Sequence, residues 1–358
     1  MPAVHDWRSP GARARRLVRD GVLVAAGLAG RFEGHRPADL EARSSERVAY
    51  DGDTRGPRGA DGRPFEERLV FAIERPVSED AADILYTERG MAWRQGRLVE
   101  RFSIRRPSLA ELARKPRAAA QIVERGVVVE AEVPYTYGDW LNNYFGTALA
   151  AAEAGLLDGP LVVPQVLAAK SYAARDLKLA RLDVVVADSP RLIRRARILR
   201  KRAPMNFWTT REIAAYQRRL APDRPAPRPG SLTYLARYDM AGETPTRRFP
   251  SEAVAALVET MGGRTIRQEN LSPEFAATIA DGMETVIADH GSGLMNLLHW
   301  RAKHVVEIAT ADWWTNNNLF LAHDLGVRDF ALVVHEGDGA ATADKVRARL
   351  QAFGVGAG

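Results

Sequence analysis

Hydrophobic and polar positions form two alternating kinds of segment in the second half of the chain. Short apolar runs of strand character stand at residues 232–236, 264–267, 283–288, 304–308 and 329–334. Between them, apolar residues recur at helical spacing over residues 251–261, 273–281, 294–300 and 316–325. Regular alternation of strand and helix predicts a doubly wound, largely parallel sheet.

The first half carries a similar but less regular pattern. Strands are predicted at 67–73, 82–87, 90–93, 97–104, 126–133, 160–163 and 182–187, with a hairpin turn at Gln95-Gly96. Helices are predicted at 109–115, 146–154, 168–179 and 206–220. The fold class is therefore α/β.

Residues 221–231 (APDRPAPRPGS) separate the two halves, because four prolines keep this segment extended and outside a core. The predicted organisation is a basic segment at 1–45, an α/β domain at 46–220, the linker, a Rossmann-like domain at 232–340, and a helix and tail at 341–358. The last helix could cross back over the first domain.

Charge and composition narrow the function classes. The chain has no cysteine, which excludes disulfides, thiolate catalysis and Cys-ligated zinc, and favours a reducing, cytoplasmic location. The net charge of +6 is concentrated in two arginine runs, within residues 8–19 and 191–202. These runs are either solvated basic faces or sites of peripheral contact with the inner face of an anionic membrane. No aromatic residues alternate with the arginines, so nucleic acid is not an expected partner. No apolar stretch is long enough to span a bilayer.

The chemistry of the second domain centres on residues 283–309. An apolar strand ends at Asp289-His290-Gly291-Ser292-Gly293, a helix follows from Leu294, and the next strand ends near Glu307. Such a turn offers backbone N–H groups to a phosphate, although Asn296 replaces the third glycine of the dinucleotide fingerprint.

Side chains around this turn suit a nucleotide. His290 could donate to an oxyanion, and Glu307 could accept from ribose hydroxyls or be a plain surface acid. Arg237, Arg247 and Arg248 could neutralise a diphosphate, or be ordinary solvated arginines.

A cluster of aromatic and amide residues follows the strand that is predicted at 126–133. Open α/β sheets bind ligands at this end of a strand, which makes Tyr137, Trp140 and Asn143 candidate acceptor-binding residues. The aromatic residues could equally pack the following helix onto the sheet. Asp139 is less suited to a core.

The second-domain residues resemble a known family. His290-Gly291-Ser292-Gly293-Leu294-x-Asn296, followed by Val305-Val306-Glu307-Ile308, is similar to the His-Gly-Ala-Gly-Leu-x-Asn signature of glycosyltransferase family 61, with Ser292 in place of alanine. In the first domain the family has Tyr/Phe-His-Trp where this chain has Tyr137-Gly138-Asp139-Trp140, so that Asp139 replaces the histidine.

The resemblance implies a GT-B fold, with two Rossmann-type domains facing a cleft, and inverting sugar transfer from a nucleotide-sugar to a glycan or surface-polysaccharide acceptor. It implies no cofactor and no bound metal, and a bacterial role in capsule-type synthesis. Asp139 and His290 would be catalytic, with Asp139 the candidate base. The donor-binding residues would be Arg237, Arg247, Arg248, His290, Gly291, Ser292, Gly293, Leu294, Asn296 and Glu307.

Two alternatives stay open. One is a different transfer on the same scaffold, such as pyruvyl transfer to a polysaccharide. The other is a non-catalytic protein that binds a nucleotide-sugar or carbohydrate, which the replacement of the family's histidine by Asp139 motivates.

Overall fold

The computed structural model describes most of the chain from residue 77 onward and short pieces before it. The described residues are 22, 32–33, 46–48, 68–70, 77–99, 102–104, 108, 110–111, 119, 121–131, 134–200, 210–238, 249–268, 271–310 and 317–356. The chain divides into two compact units. The first unit covers residues 5–44 and 71–220, and the second covers residues 1–4, 45–70 and 221–358.

The strands up to residue 200 are as follows. They are β1 (Phe32–Glu33), β2 (Glu46–Val48), β3 (Arg68–Val70), β4 (Val77–Tyr86), β5 (Ala92–Arg94), β6 (Arg97–Val99), β7 (Gln121–Val129), β8 (Leu161–Pro164), β9 (Val184–Ala187) and β10 (Arg191–Arg200). β2 and β3 form an antiparallel ribbon that is grouped with the second unit, although the sequence assigns residue 46 onward to the first domain. In the described residues the others form one sheet in the order β1-β6-β5-β4-β10-β7-β8-β9.

This sheet is mixed. β10, β7, β8 and β9 run parallel, whereas β4, β5 and β6 are joined by antiparallel pairing. The predicted hairpin turn lies between β5 and β6, with Gln95 at φ 50° and Gly96 at φ 75°. Two successive positive φ values are those of the tight turn that matches strand twist.

The helical segments of the first unit are short. They are α1 (Tyr137–Asp139), a π-helix (Trp140–Phe145), α2 (Gly146–Glu153), α3 (Gln165–Ala168), α4 (Ser171–Leu179) and α5 (Thr210–Leu220). The residues of the π-helix are all buried, as are most of those in α2, so the chain after β7 turns directly into the core.

The arginine run at 191–200 is a central strand, which the sequence reasoning missed. β10 pairs with β4 and β7, and its residues Ile193, Ile198 and Leu199 are fully buried. The arginines meet acids of β4: Arg194 contacts Asp83 at 3.0 Å, and Arg197 contacts Asp80 at 3.0 Å. Much of the run's charge is therefore balanced within the sheet. The run at residues 8–19 lies outside the described residues.

The second unit holds a parallel sheet. Its strands are β11 (Leu232–Ala236), β12 (Arg264–Arg267), β13 (Thr285–Asp289), β14 (His304–Thr310) and β15 (Asp329–His335), in the order β12-β11-β13-β14-β15. Every residue of β11, β13 and β14 is buried, as expected for parallel strands covered by helices on both faces. The prediction of an α/β fold is confirmed.

The helices of this unit alternate with its strands. They are α6 (Ser251–Thr260), α7 (Pro273–Thr278), two 3₁₀ helices (Ala280–Gly282 and Ser292–His299), α8 (Asn317–Asp324) and α9 (Gly339–Ala352). Ser272 caps α7 by accepting from the Phe275 N–H, and Pro273 follows as the first residue of the helix.

The last helix of the chain packs within the second unit. α9 packs on α6 and β15, and its buried residues Val346 and Leu350 join the core cluster of Leu232, Val254 and their neighbours. One face of α9 is buried and packs in the second unit; its residues are Thr342, Ala343, Val346 and Leu350.

No helix among the described residues is long and apolar enough to cross a membrane.

Candidate functional site

The order of the second sheet reverses between β11 and β13. The chain moves from β11 outward to β12 and then returns to the other side of β11 to form β13. In open parallel sheets ligands bind at the carboxyl ends of the two strands at such a point. Arg237 follows β11 there, and His290 and the glycine turn follow β13. This edge is the candidate site.

Arg237 is held at both its main chain and its side chain. Its N–H donates to Asp289 Oδ2 at 2.8 Å, and its Nη1 atom donates to the carbonyl oxygen of His290 at 2.8 Å. The guanidinium therefore lies beside the glycine turn. Arg247 and Arg248 lie outside the described residues.

Glycine is favoured at the two positions of the turn for different structural reasons. Gly291 has φ 143° and ψ −165°, a conformation that other residues rarely adopt. A Cβ atom on Gly293 would lie 2.6 Å from the Cδ atom of Gln268, whose Nε2 donates to the carbonyl oxygens of Leu235 and Asp289. Ser292, between the glycines, is half-buried.

The helix after the turn is 3₁₀ rather than the α-helix that the spacing predicts. It spans Ser292–His299 and is buried from Gly293 onward. Leu294 is fully buried and packs in the core, and Asn296 closes the turn by donating from Nδ2 to the Gly293 carbonyl at 3.0 Å. Both residues therefore help to hold the conformation of the turn from its buried side.

His290 and Glu307 form a buried pair. His290 Nδ1 lies 2.7 Å from Glu307 Oε1, and the side chains are 5% and 1% exposed. Asn318 of α8 also donates from Nδ2 to the same oxygen. A hydrogen bond from Nδ1 to Glu307 Oε1 favours the tautomer of His290 that carries its hydrogen on Nδ1.

Glu307 does not end its strand, because β14 continues to Thr310. Its Oε1 atom is committed to His290 and Asn318, whereas Oε2 is buried without a hydrogen-bond partner in the described structure. Glu307 is therefore a buried acceptor rather than a surface acid. Asn318 is not predicted as a site residue from the sequence, in which the run Asn316-Asn317-Asn318 is the only feature that marks it.

Asp289 is a further residue that the sequence did not single out. It is fully buried at the end of β13, and its carboxylate accepts hydrogen bonds from the Tyr234 hydroxyl, the Arg237 N–H and the Ser251 hydroxyl. Burial raises the pKa of Asp289 to about 7, although these three donors lower it. The signal that could have revealed it is an acid that ends an otherwise apolar strand.

In the first unit the aromatic cluster is mostly core. Trp140 is fully buried, stacks on Tyr144 and Phe145 with ring centroids 5.1 and 5.3 Å away, and donates from Nε1 to Asp176 Oδ2 at 2.9 Å. Asn143 is also buried. The packing alternative thus describes Trp140, and neither its side chain nor that of Asn143 faces solvent.

Tyr137 and Asp139 lie closer to the surface. Asp139 is half-buried in the first turn of α1, where its Oδ2 accepts from the Thr136 hydroxyl at 2.7 Å and its N–H donates to the Thr136 hydroxyl oxygen. Tyr137 packs edge-on against Tyr172 at 5.5 Å, and burial raises the pKa of its hydroxyl. Thr136 is thus the N-cap of α1, and Asp139 is the acid of its first turn, which its carboxylate ties back to the cap.

Metal-ligand geometry is not found in the part of the chain that the structure describes: no three His, Asp or Glu side chains come together there. The residues that converge at the second sheet are basic, histidine and carboxylate groups fixed by hydrogen bonds. Such a set is suited to holding an anion and moving a proton.

No protein-family model matches this chain, and comparison with curated proteins finds no match.

Proposed function

We propose that this protein is an inverting glycosyltransferase with a GT-B-type fold that moves a sugar from a nucleotide-sugar to a glycan or surface-polysaccharide acceptor. The observation that carries the proposal is the convergence, at the reversal point of the second sheet, of Arg237, the Gly291–Gly293 turn and the His290–Glu307 pair. The similarity of residues 290–296 to the family 61 signature supports it.

The leaving group is the first requirement of such a transfer. When the bond between the anomeric carbon and the phosphate oxygen breaks, the electron pair stays on the nucleoside diphosphate. Arg237 is beside the turn and held by two hydrogen bonds, so its positive charge is pre-positioned for that oxygen. Pre-positioned charge stabilises the transition state more than a side chain that must first be ordered.

The second requirement is a proton acceptor. As the acceptor hydroxyl oxygen attacks the anomeric carbon, its proton must pass to a base. With the Nδ1 hydrogen donated to Glu307, the other ring nitrogen of His290 would take up the proton, and the carboxylate would stabilise the imidazolium that forms. We assign the base to His290, because the carboxylate of Asp139 accepts a hydrogen bond from Thr136, the N-cap of α1.

The buried carboxylate supplies a third argument. Glu307 Oε2 has no hydrogen-bond donor among the described residues, and a buried acceptor without a donor is costly. A hydroxyl of the bound donor would satisfy it.

The test is to incubate the full-length protein with UDP-, GDP-, ADP-, CDP- and dTDP-sugars, with and without EDTA, and to measure release of the nucleoside diphosphate. Glycosyltransferases hydrolyse their donors slowly without an acceptor, so we expect release from one nucleotide series. Added oligosaccharide acceptor should accelerate that release. We expect EDTA to have no effect.

A non-catalytic nucleotide-sugar-binding protein is the second candidate, and the two hydrogen bonds that tie Asp139 to Thr136, the N-cap of α1, favour it. It predicts binding of one nucleotide-sugar series with neither hydrolysis nor transfer. If no nucleotide-sugar binds or reacts, both proposals fail. A pyruvyl transferase would instead be indicated by a reaction with phosphoenolpyruvate.

A further inference from the structure

Asp289 joins three elements at the candidate site with one buried carboxylate. Its Oδ2 atom accepts from the Arg237 N–H and the Ser251 hydroxyl, each at 2.8 Å, and its Oδ1 atom accepts from the Tyr234 hydroxyl at 2.8 Å. The donors belong to β11, to the residue that follows it, and to the first turn of α6. They lie 38 to 55 residues away from Asp289 in sequence.

The contact with Arg237 is made where the chain leaves β11. The Arg237 guanidinium reaches back to the His290 carbonyl, and His290 is the residue directly after Asp289. Asp289 therefore holds the main-chain N–H of Arg237, and the carbonyl oxygen of the next residue, His290, holds its guanidinium. Loss of the carboxylate would release the backbone from which the guanidinium projects.

We propose that Asp289 is a positioning residue, whose carboxylate fixes the main chain of Arg237 so that its guanidinium is set for the diphosphate of a nucleotide. This inference rests on the proposed function, because it names how the same site is held. An apolar residue would fill the space at lower desolvation cost, so the buried carboxylate is best explained by the three donors that it orders.

Three variants separate positioning from packing. Asp289→Leu keeps the branching at Cγ and removes every acceptor, whereas Asp289→Asn keeps an oxygen for Arg237 and Ser251 and turns its amide toward the Tyr234 hydroxyl, which can accept. Asp281→Asn is the matched control, because Asp281 is an exposed acid of the same unit. If Asp289→Leu does not fold, Asp289→Ser, which shortens the side chain, replaces it.

The experiment has two readouts on the full-length protein. Hydrogen exchange at the Arg237 amide reports whether the main chain is held, without any ligand. Isothermal titration with UDP, GDP, ADP, CDP and dTDP reports whether the arginine is set for a diphosphate. We expect Asp289→Leu to accelerate Arg237 exchange and to weaken nucleotide binding about tenfold or more. Asp289→Asn should stay close to wild type in both, and Asp281→Asn should change neither.

The outcomes distinguish this inference from the proposed function. Faster Arg237 exchange in Asp289→Leu with unchanged nucleotide affinity overturns the positioning role and leaves the site intact. Unchanged exchange overturns it at the first step. If wild type binds none of the five nucleotides, the proposed function fails, and with it the link from Asp289 to a diphosphate, even where exchange shows that the main chain is held.

Discussion

The imidazole of His290 and the carboxylate of Glu307 are joined by a 2.7 Å hydrogen bond between Nδ1 and Oε1, at a point where both side chains are almost closed to water. The two residues stand 17 positions apart and are brought together by adjacent parallel strands. The bond fixes the ring orientation and the tautomer, which a free surface histidine would not have.

Replacing His290 by glutamine tests its role as a base. Glutamine keeps a polar side chain of similar reach but cannot take up a proton at neutral pH. We expect nucleotide affinity to change less than about threefold, while kcat for transfer falls about 10²- to 10⁴-fold. Steady-state kinetics with the reactive nucleotide-sugar measures both, and His335→Gln, in the same unit, is the control. Unimpaired transfer by His290→Gln would assign the base elsewhere.

Removal of Asn318 tests the support of the pair. Asn318→Ala takes one donor from Glu307, leaving a buried carboxylate with less compensation, and we expect the free energy of unfolding to fall by about 1–3 kcal/mol. Urea unfolding gives this value. Gln351→Ala, an exposed change on α9, should stay within about 0.5 kcal/mol of wild type. Equal effects of the two changes would mean that the Asn318 contact contributes nothing.

Gly293 and Gln268 should be energetically coupled. A Cβ atom at position 293 would press on the Gln268 side chain, which cannot move without breaking its hydrogen bonds to two main-chain carbonyls. We expect Gly293→Ala to cost about 1–3 kcal/mol of unfolding free energy. In the background of Gln268→Ala the same change should cost at least about 1 kcal/mol less, as a double-mutant cycle would show. Additive effects would contradict this packing.

Asp289 should make stability depend on pH in an unusual direction. Its pKa is raised from 3.8 to about 7 on folding, so between these values the folded state holds a proton that the unfolded chain has lost. The contribution to the free energy of unfolding is therefore complete below pH 4 and falls as pH rises to 7, by up to about 4 kcal/mol. Above that it is constant.

Comparison with Asp289→Asn isolates this contribution, because the other titrating groups are common to both proteins. Urea unfolding at intervals from pH 4 to pH 8 should give a difference between wild type and variant that changes steadily up to about pH 7 and then stays level. Parallel pH profiles would show that Asp289 does not titrate in this range on folding.

The sequence predicted the second unit well for a physical reason. Parallel strands buried on both faces must be continuous apolar runs, so β11, β13 and β14 are visible as short hydrophobic segments between helices. The carboxyl ends of such strands share an edge, which is why Arg237 and His290 could be expected to lie together.

The rest depended on partners that are distant in sequence. In the sequence Asp289 is only an acid at the end of a strand, because its partners Tyr234 and Ser251 are far away along the chain. Trp140 likewise looks like a ligand-binding aromatic residue as long as its hydrogen bond to Asp176 is not known. β10 was missed because an arginine-rich strand resembles a solvated surface unless the acids of β4 are known to face it.

The central claim is that the reversal point of the second sheet binds a nucleoside diphosphate through Arg237. The most direct measurement is isothermal titration of wild type, Arg237→Ala and Arg347→Ala with UDP, GDP, ADP, CDP and dTDP. Arg347 is an exposed arginine of α9 in the same unit and serves as the matched control. We predict that one nucleotide binds wild type and Arg347→Ala equally, and binds Arg237→Ala at least about tenfold more weakly. Binding that is insensitive to Arg237, or no binding by wild type, would contradict the account.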